Sequence, residues 1–179
     1  MPPDAGRSTT SADPVRVEQD ENGHRRLVTT EPIASGDEIF SLDGVVRTSP
    51  TRYSIQVGPD EHLDDMGPVD ATNHQCDPSA FIDFSDPRRI VLRALRSLSV
   101  GAEVSIHYCA TEYDMSSPFD CYCGADACLG RIRGYRYVSD DVARDLEPWL
   151  SPALRSLRSN RAAPSGVTIS PARTNPAFS

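Results

Sequence analysis

Three cysteines fall within eight residues, Cys121, Cys123 and Cys128, in a C-x-C-x4-C arrangement with Gly124 between them. This cluster constrains the chain more than any other feature. Structural zinc takes a closed tetrahedral shell of thiolates, so three local ligands leave the shell one short. A fourth must then come from elsewhere, and Cys76 and Cys109 are the other cysteines. Cys76 sits in the loop Asn73-His74-Gln75-Cys76-Asp77-Pro78, where Asp-Pro sets a turn. Cys109 follows a predicted strand and points away from Tyr108. Five cysteines are an odd number for a disulfide framework. No C-x-x-C is present, so a redox pair is the lesser reading.

The rest of the chain is finely punctuated. With 15 Pro and 11 Gly in 179 residues and 38% hydrophobic residues, a turn-rich, mostly β domain is expected rather than a helix bundle. Alternating segments at residues 26–30, 38–42, 53–57, 80–84, 89–96 and 103–108 read as strands. Ser85-Asp86-Pro87 reads as the turn of a hairpin. Ser139-Asp140-Asp141 reads as an N-cap with acidic first-turn residues, opening a short helix that ends before Pro148. A second helical stretch is expected at residues 152–158. The acidic stretch at 60–70 is expected to be a solvated loop, the alternative being the lining of a groove for a basic peptide.

A net charge of −8 excludes a dominant phosphate-backbone partner, and no direct nucleic-acid contact is expected. A cationic substrate fits better. All 18 basic residues are Arg. A chain without lysine cannot modify its own lysine side chains. No apolar run approaches the roughly 20 residues of a membrane span, and the start of the chain lacks the marks of a secretory signal. A cytoplasmic protein with no membrane partner is the expectation.

Taken together, these residues resemble a SET domain with its cysteine-rich post-SET segment. The Asn73–Pro78 loop is similar to the family's N-H-S-C-x-P. Gly101-Ala102-Glu103-Val104-Ser105-Ile106-His107-Tyr108 is similar to G-E-E-L-x-x-D-Y. Phe119-Asp120-Cys121-Tyr122-Cys123-Gly124, continuing to Cys128-Leu129-Gly130-Arg131-Ile132, is similar to F-x-C-x-C-G-x4-C-x-G-x-I. Three motifs in order make a specific match.

The resemblance implies small curved sheets with a pseudoknot-like crossing, a zinc-bound post-SET segment and short C-terminal helices. The expected divisions are a disordered lead at 1–14, the SET domain at 15–117, the post-SET segment at 118–137, a helical segment at 138–160 and a disordered tail at 161–179. It implies a lysine methyltransferase using S-adenosylmethionine, with a protein lysine or a small amine as acceptor. Tyr108 would be the catalytic tyrosine. Asn73, His74, Tyr108 and Phe119 would meet the cofactor, with Tyr113 a further aromatic neighbour. Cys76 would join Cys121, Cys123 and Cys128 around one structural zinc ion, leaving Cys109 outside.

Three departures bear on this. The family's G-x-G turn is replaced by His24-Arg25-Arg26, with Gly23 just before, and Arg25 or Arg26 is expected to pair with the cofactor carboxylate. The usual pocket tyrosine is Leu42, with Tyr53 as a conceivable substitute. Two residues before Tyr108 stands Ile106, which offers no hydrogen bond and is expected to allow multiple methylation. The alternatives are the same fold acting on a small molecule, or a zinc-stapled binding module without catalysis. The Arg-only, Pro-rich composition and small stand-alone size suggest a bacterial source.

Overall fold

A computed structural model describes residues 13–160. The expected tail and residues 1–12 of the expected lead lie outside them. Residues 13 and 14 are tied to the body, since the Thr30 N–H donates to the Pro14 carbonyl at 2.8 Å.

Among the described residues twelve short strands are formed: β1 (Val15–Gln19), β2 (Arg25–Thr29), β3 (Glu38–Leu42), β4 (Val45–Arg47), β5 (Ile55–Gly58), β6 (Glu61–Asp64), β7 (Asn73–His74), β8 (Ala80–Asp86), β9 (Arg89–Ala94), β10 (Glu103–Ile106), β11 (Phe119–Asp120) and β12 (Arg131–Ile132). Two helices follow, α1 (Asp140–Leu146) and α2 (Pro152–Leu157). The strands make four small sheets, ordered β1-β2-β10-β7, β3-β9-β8, β4-β6-β5 and β11-β12.

β8 and β9 form the expected hairpin, with Asp86 paired to Arg89 around the Pro87 turn. β2 and β3, although separated by a short turn, enter different sheets. The acidic stretch is not a solvated loop. Four of its eleven residues form β6, the central strand of its sheet, with His62, Leu63 and Asp64 buried. The Asp64 carboxylate accepts from Arg47 Nε at 2.8 Å, which pairs its charge on the way inside.

One feature of the topology positions the site. β10 pairs antiparallel with β2 and parallel with β7, in the register Ser105 to Asn73 and Ile106 to His74. The two motif segments therefore lie side by side, although the whole β8–β9 hairpin separates them in sequence. The following loop is fastened to β10 by a buried serine pair. Ser79 N–H donates to Ser105 Oγ at 3.1 Å, and Ser105 N–H to Ser79 Oγ at 2.9 Å.

Buried apolar residues form two clusters. The first is almost wholly aliphatic and runs from Val15 to Ile106, with Leu27, Leu92 and Val104 at its centre. The second runs from Cys109 to Leu154 and includes Ile132, Tyr135, Leu146 and Leu150. Tyr108 packs against both. α1 is capped by Ser139, whose Oγ accepts from the Val142 N–H at 3.4 Å, and α2 by Ser151, which accepts from Leu154 at 3.3 Å. α2 packs on β5, whose Ile55 belongs to the first cluster, and so joins the two clusters.

Candidate active site and metal centre

Where β2, β7 and β10 meet the segment before β11, a cavity of about 950 Å³ opens. This is at the large end of ligand-sized pockets. Its walls include Arg25, Asn73, His74, Tyr108 and Phe119, whereas Arg26 and Tyr113 are not among its lining residues. Arg26 lies apart, its guanidinium ion-paired with Glu18 on β1 at 2.8 Å. Alternation along β2 sends neighbouring side chains to opposite faces, so Arg25 and Arg26 cannot share a site.

The turn before β2 is built by Asp20, whose carboxylate accepts from the Asn22 and His24 N–H groups, each at 2.9 Å. Gly23 supplies the positive φ of 82° and lines the cavity, so a glycine is kept at this wall although displaced from its usual place. Asn73 holds this wall to the motif strands. Its amide donates to the Arg25 carbonyl at 3.0 Å and to Glu103 Oε1 at 2.9 Å.

Tyr108 is fixed at both ends. Its backbone N–H donates to His74 Nδ1 at 3.1 Å, and its hydroxyl donates to the Thr72 carbonyl at 2.7 Å. Burial pushes the hydroxyl up to about 12, so it stays protonated and oriented. The Phe119 ring stands edge-on to both His74 and Tyr108, with centroids at 5.8 and 6.0 Å. Burial, reinforced by His107, brings His74 down to about 3, and the ring is neutral. Because Nδ1 accepts from Tyr108, the proton sits on Nε2, which lies 3.3 Å from Cys76 Sγ. One histidine thus links the cavity to the cysteines.

The sulfurs of Cys76, Cys121, Cys123 and Cys128 all lie within 4.8 Å of one another. Tetrahedral zinc with Zn–S bonds of 2.3 Å places its sulfurs about 3.8 Å apart, so the four fit that ion. β11 and β12 pair on either side of the loop and bring Cys121 and Cys128 together, with Cys121 N–H donating to the Gly130 carbonyl at 2.8 Å. The Leu129 N–H reaches Cys76 Sγ at 3.4 Å. Burial pushes the Cys76 and Cys121 thiols up, while the Ala125 N–H helps bring Cys123 down to about 6. A divalent cation removes the repulsion among such thiolates. Cys109 is buried in the second core cluster, outside this group.

The donor set also suits a nucleoside-bearing sulfonium. The cavity offers aromatic edges, a glycine turn and one buried polar atom with no hydrogen bond among the described residues, Thr72 Oγ1. Ile106 is on the wall. Leu42 belongs to the first core cluster and is absent from the cavity wall. Tyr53 does line the cavity, with Arg52 stacked on its ring at 5.8 Å.

Among the wall residues that motif reasoning misses are Thr72 and Glu112. Glu112 is only 8% exposed. Its one sequence signal is a single acid in the otherwise uncharged run from Ser105 to Tyr113.

A family model for the SET domain matches residues 24–109. The protein named Methyltransferase flvH of Aspergillus flavus is 36% identical, the match covering 69% of this chain and 66% of that protein. A histone-lysine N-methyltransferase, H3 lysine-36 specific, of Chaetomium globosum is 29% identical over 60% of this chain and 14% of its own length. The chain thus spans less than two thirds of either relative. Among solved structures, KRYPTONITE in complex with mCHG DNA and SAH superposes with a TM-score of 0.54 at 24% identity, over 65% of this chain and 28% of that one. KRYPTONITE with mCHH DNA, an H3(1–15) peptide and SAH gives 0.52 at 25% identity, over 65% and 29%. The expected fold of several small sheets beside a cysteine cluster is the observed one.

Proposed function

Because this chain belongs to the SET-domain methyltransferase family, we propose that it transfers methyl groups from S-adenosylmethionine to the side-chain amine of a protein lysine. The observation that carries the reading is the seating of the Tyr108 hydroxyl, Asn73, His74 and Phe119 around one cavity on the β7–β10 crossing. A methyltransferase relative, a histone-lysine methyltransferase relative and fold neighbours holding SAH support it.

When bound, S-adenosylmethionine supplies an electrophilic methyl group on a sulfonium. This chain's residues bind and orient. Arg25 is the guanidinium in reach of a cofactor carboxylate, and Asn73 fixes the wall that carries it. Phe119 and His74 give the adenine a place to pack. With its proton committed to the Thr72 carbonyl, the Tyr108 oxygen offers lone pairs to an amine N–H and so aims the nitrogen. Ile106 donates no hydrogen bond and leaves room for more than one methyl group. Cys76, Cys121, Cys123 and Cys128 would hold one zinc ion, and β11 runs directly into Cys121, so that group would fix Phe119. Free thiols fit a cytoplasmic enzyme, and no helix among the described residues is long and apolar enough to cross a membrane.

Calorimetric titration of the zinc-loaded protein with S-adenosylmethionine tests this. Saturable binding that weakens in Asn73→Ala is expected. Tyr108→Phe should keep that binding and lose about 100-fold or more in transfer rate. No binding at millimolar cofactor would leave a zinc-stapled binding module instead. A second reading, transfer to a small free amine, is favoured by the placement of Leu42 in the core, which removes one polar contact the family gives a lysine. Greater turnover on free amines than on lysine peptides would select it.

A further inference from the structure

Glu112 is a buried acid that the reading above does not use. It follows the 3-10 turn Tyr108–Ala110 and lines the cavity. Oε1 accepts from the Gln56 backbone N–H at 3.1 Å. Among the described residues, Oε2 has no hydrogen bond, and no arginine or histidine pairs with the carboxylate. Glu112 is held rigidly. Its own N–H donates to the Tyr108 carbonyl at 2.9 Å, and its carbonyl accepts from Tyr135 N–H at 2.8 Å. The second contact needs Gly134, where a Cβ would come within 2.6 Å of the Tyr113 carbonyl oxygen. The C-terminal segment is therefore clamped onto the strip that carries this acid.

An unpaired buried carboxylate is costly, and such groups concentrate where a ligand supplies the missing charge. Its neighbours narrow the ligand. The Tyr108 hydroxyl lies in the field of two acids, Glu112 and Glu103, as well as of Arg52. Arg52 is the cation that also acts on Tyr108, and it stacks on Tyr53 at the exposed side.

We propose that Glu112 is the recognition and proton-accepting group for the acceptor: it pairs with an aliphatic ammonium entering beside Tyr53 and Tyr108 and takes one proton from it. One N–H bond breaks and one O–H bond forms on Glu112, turning ammonium and carboxylate into amine and carboxylic acid. The nitrogen lone pair is then free next to the Tyr108 hydroxyl. This deepens the amine-methylation reading and rests on it. Burial pushes the Glu112 carboxyl up to about 8, which favours holding a proton, while an arriving cation pulls the carboxyl down and lets it pair first.

The test uses the full zinc-loaded chain saturated with SAH. n-Butylammonium is the probe and 1-butanol its neutral mimic. Binding is followed by calorimetry and by the side-chain carboxyl carbon resonance of Glu112. Butylammonium should bind saturably and move that resonance to its ionised position. Glu112→Gln, which keeps the acceptor for Gln56, should weaken butylammonium about tenfold or more and leave butanol unchanged. Equal butylammonium affinity in the variant, or an unmoved resonance in the wild type, overturns the proposal. Should the variant fail to fold, the wild-type resonance decides alone. Failure to bind SAH at all would sink the methyl-transfer reading and this inference with it. Binding of SAH with butylammonium indifferent to the substitution would sink this inference only.

Discussion

The two core clusters are stabilised differently. The first, from Val15 to Ile106, is aliphatic and is spread over three sheets whose strands reach seven residues. The second, from Cys109 to Leu154, has only the two-residue strands β11 and β12, two short helices and 3-10 turns. Helices this short are marginal without tertiary support. The first cluster can be held by burial alone, whereas the second depends on the cysteine group to close its loop. The cavity sits where they meet, with Tyr108 in both.

Removing zinc should break this comparison open. Chelation, or Cys76→Ser, should remove on the order of 10 kcal/mol of ligation energy from the second region. Hydrogen exchange should then accelerate from residue 109 onward while β8 and β9 keep their protection. Uniform loss of protection would show one cooperative unit instead. Next come two matched truncations. Leu92→Ala and Leu154→Ala, both fully buried, should each cost about 2–5 kcal/mol. Leu92→Ala should lower the global denaturation midpoint, and Leu154→Ala should lower mainly the C-terminal opening energy measured by exchange.

The seam has its own pH dependence. Glu112 is raised from 4.5 to about 8 in the folded state by burial. Between those values the unfolded chain loses this proton and the folded chain keeps it. Stability is thus fully present below 4.5 and falls as pH rises to about 8, by on the order of 4–5 kcal/mol. Glu112→Gln should flatten that slope and be the more stable form at pH 8, which denaturant titrations at pH 5 and 8 would measure. The smallest effect belongs to a cap. Ser139→Ala should cost about 1 kcal/mol, read as faster exchange in α1 with none in β9.

What could be read from the sequence follows locality. The β8–β9 hairpin and the Ser139 cap rest on turn chemistry within a few residues, and both are formed. Cys121, Cys123 and Cys128 were visible from spacing, but choosing Cys76 over Cys109 needed the family resemblance. β6 was hidden because its buried Asp64 is neutralised by Arg47 on a neighbouring strand, a partner no local pattern names. Arg26 was hard to separate from Arg25, since the face each takes depends on the β1–β2 register and on Glu18. Glu112 and Tyr53 reach the cavity only through long-range packing of the segments after β10 and before β5.

The parallel β7–β10 pairing has a consequence in time. A chain emerging from the ribosome can close the β8–β9 hairpin as soon as Ala94 is free, because those contacts are local. Ser105 and Ile106 must then dock beside Asn73 and His74, which were made long before and have been waiting unpaired. The cysteine group must wait longer still, until Cys128 appears. The cavity is therefore among the last parts of the molecule to exist, and nascent chains halted before Ile106 should carry a formed hairpin with no cavity beside it.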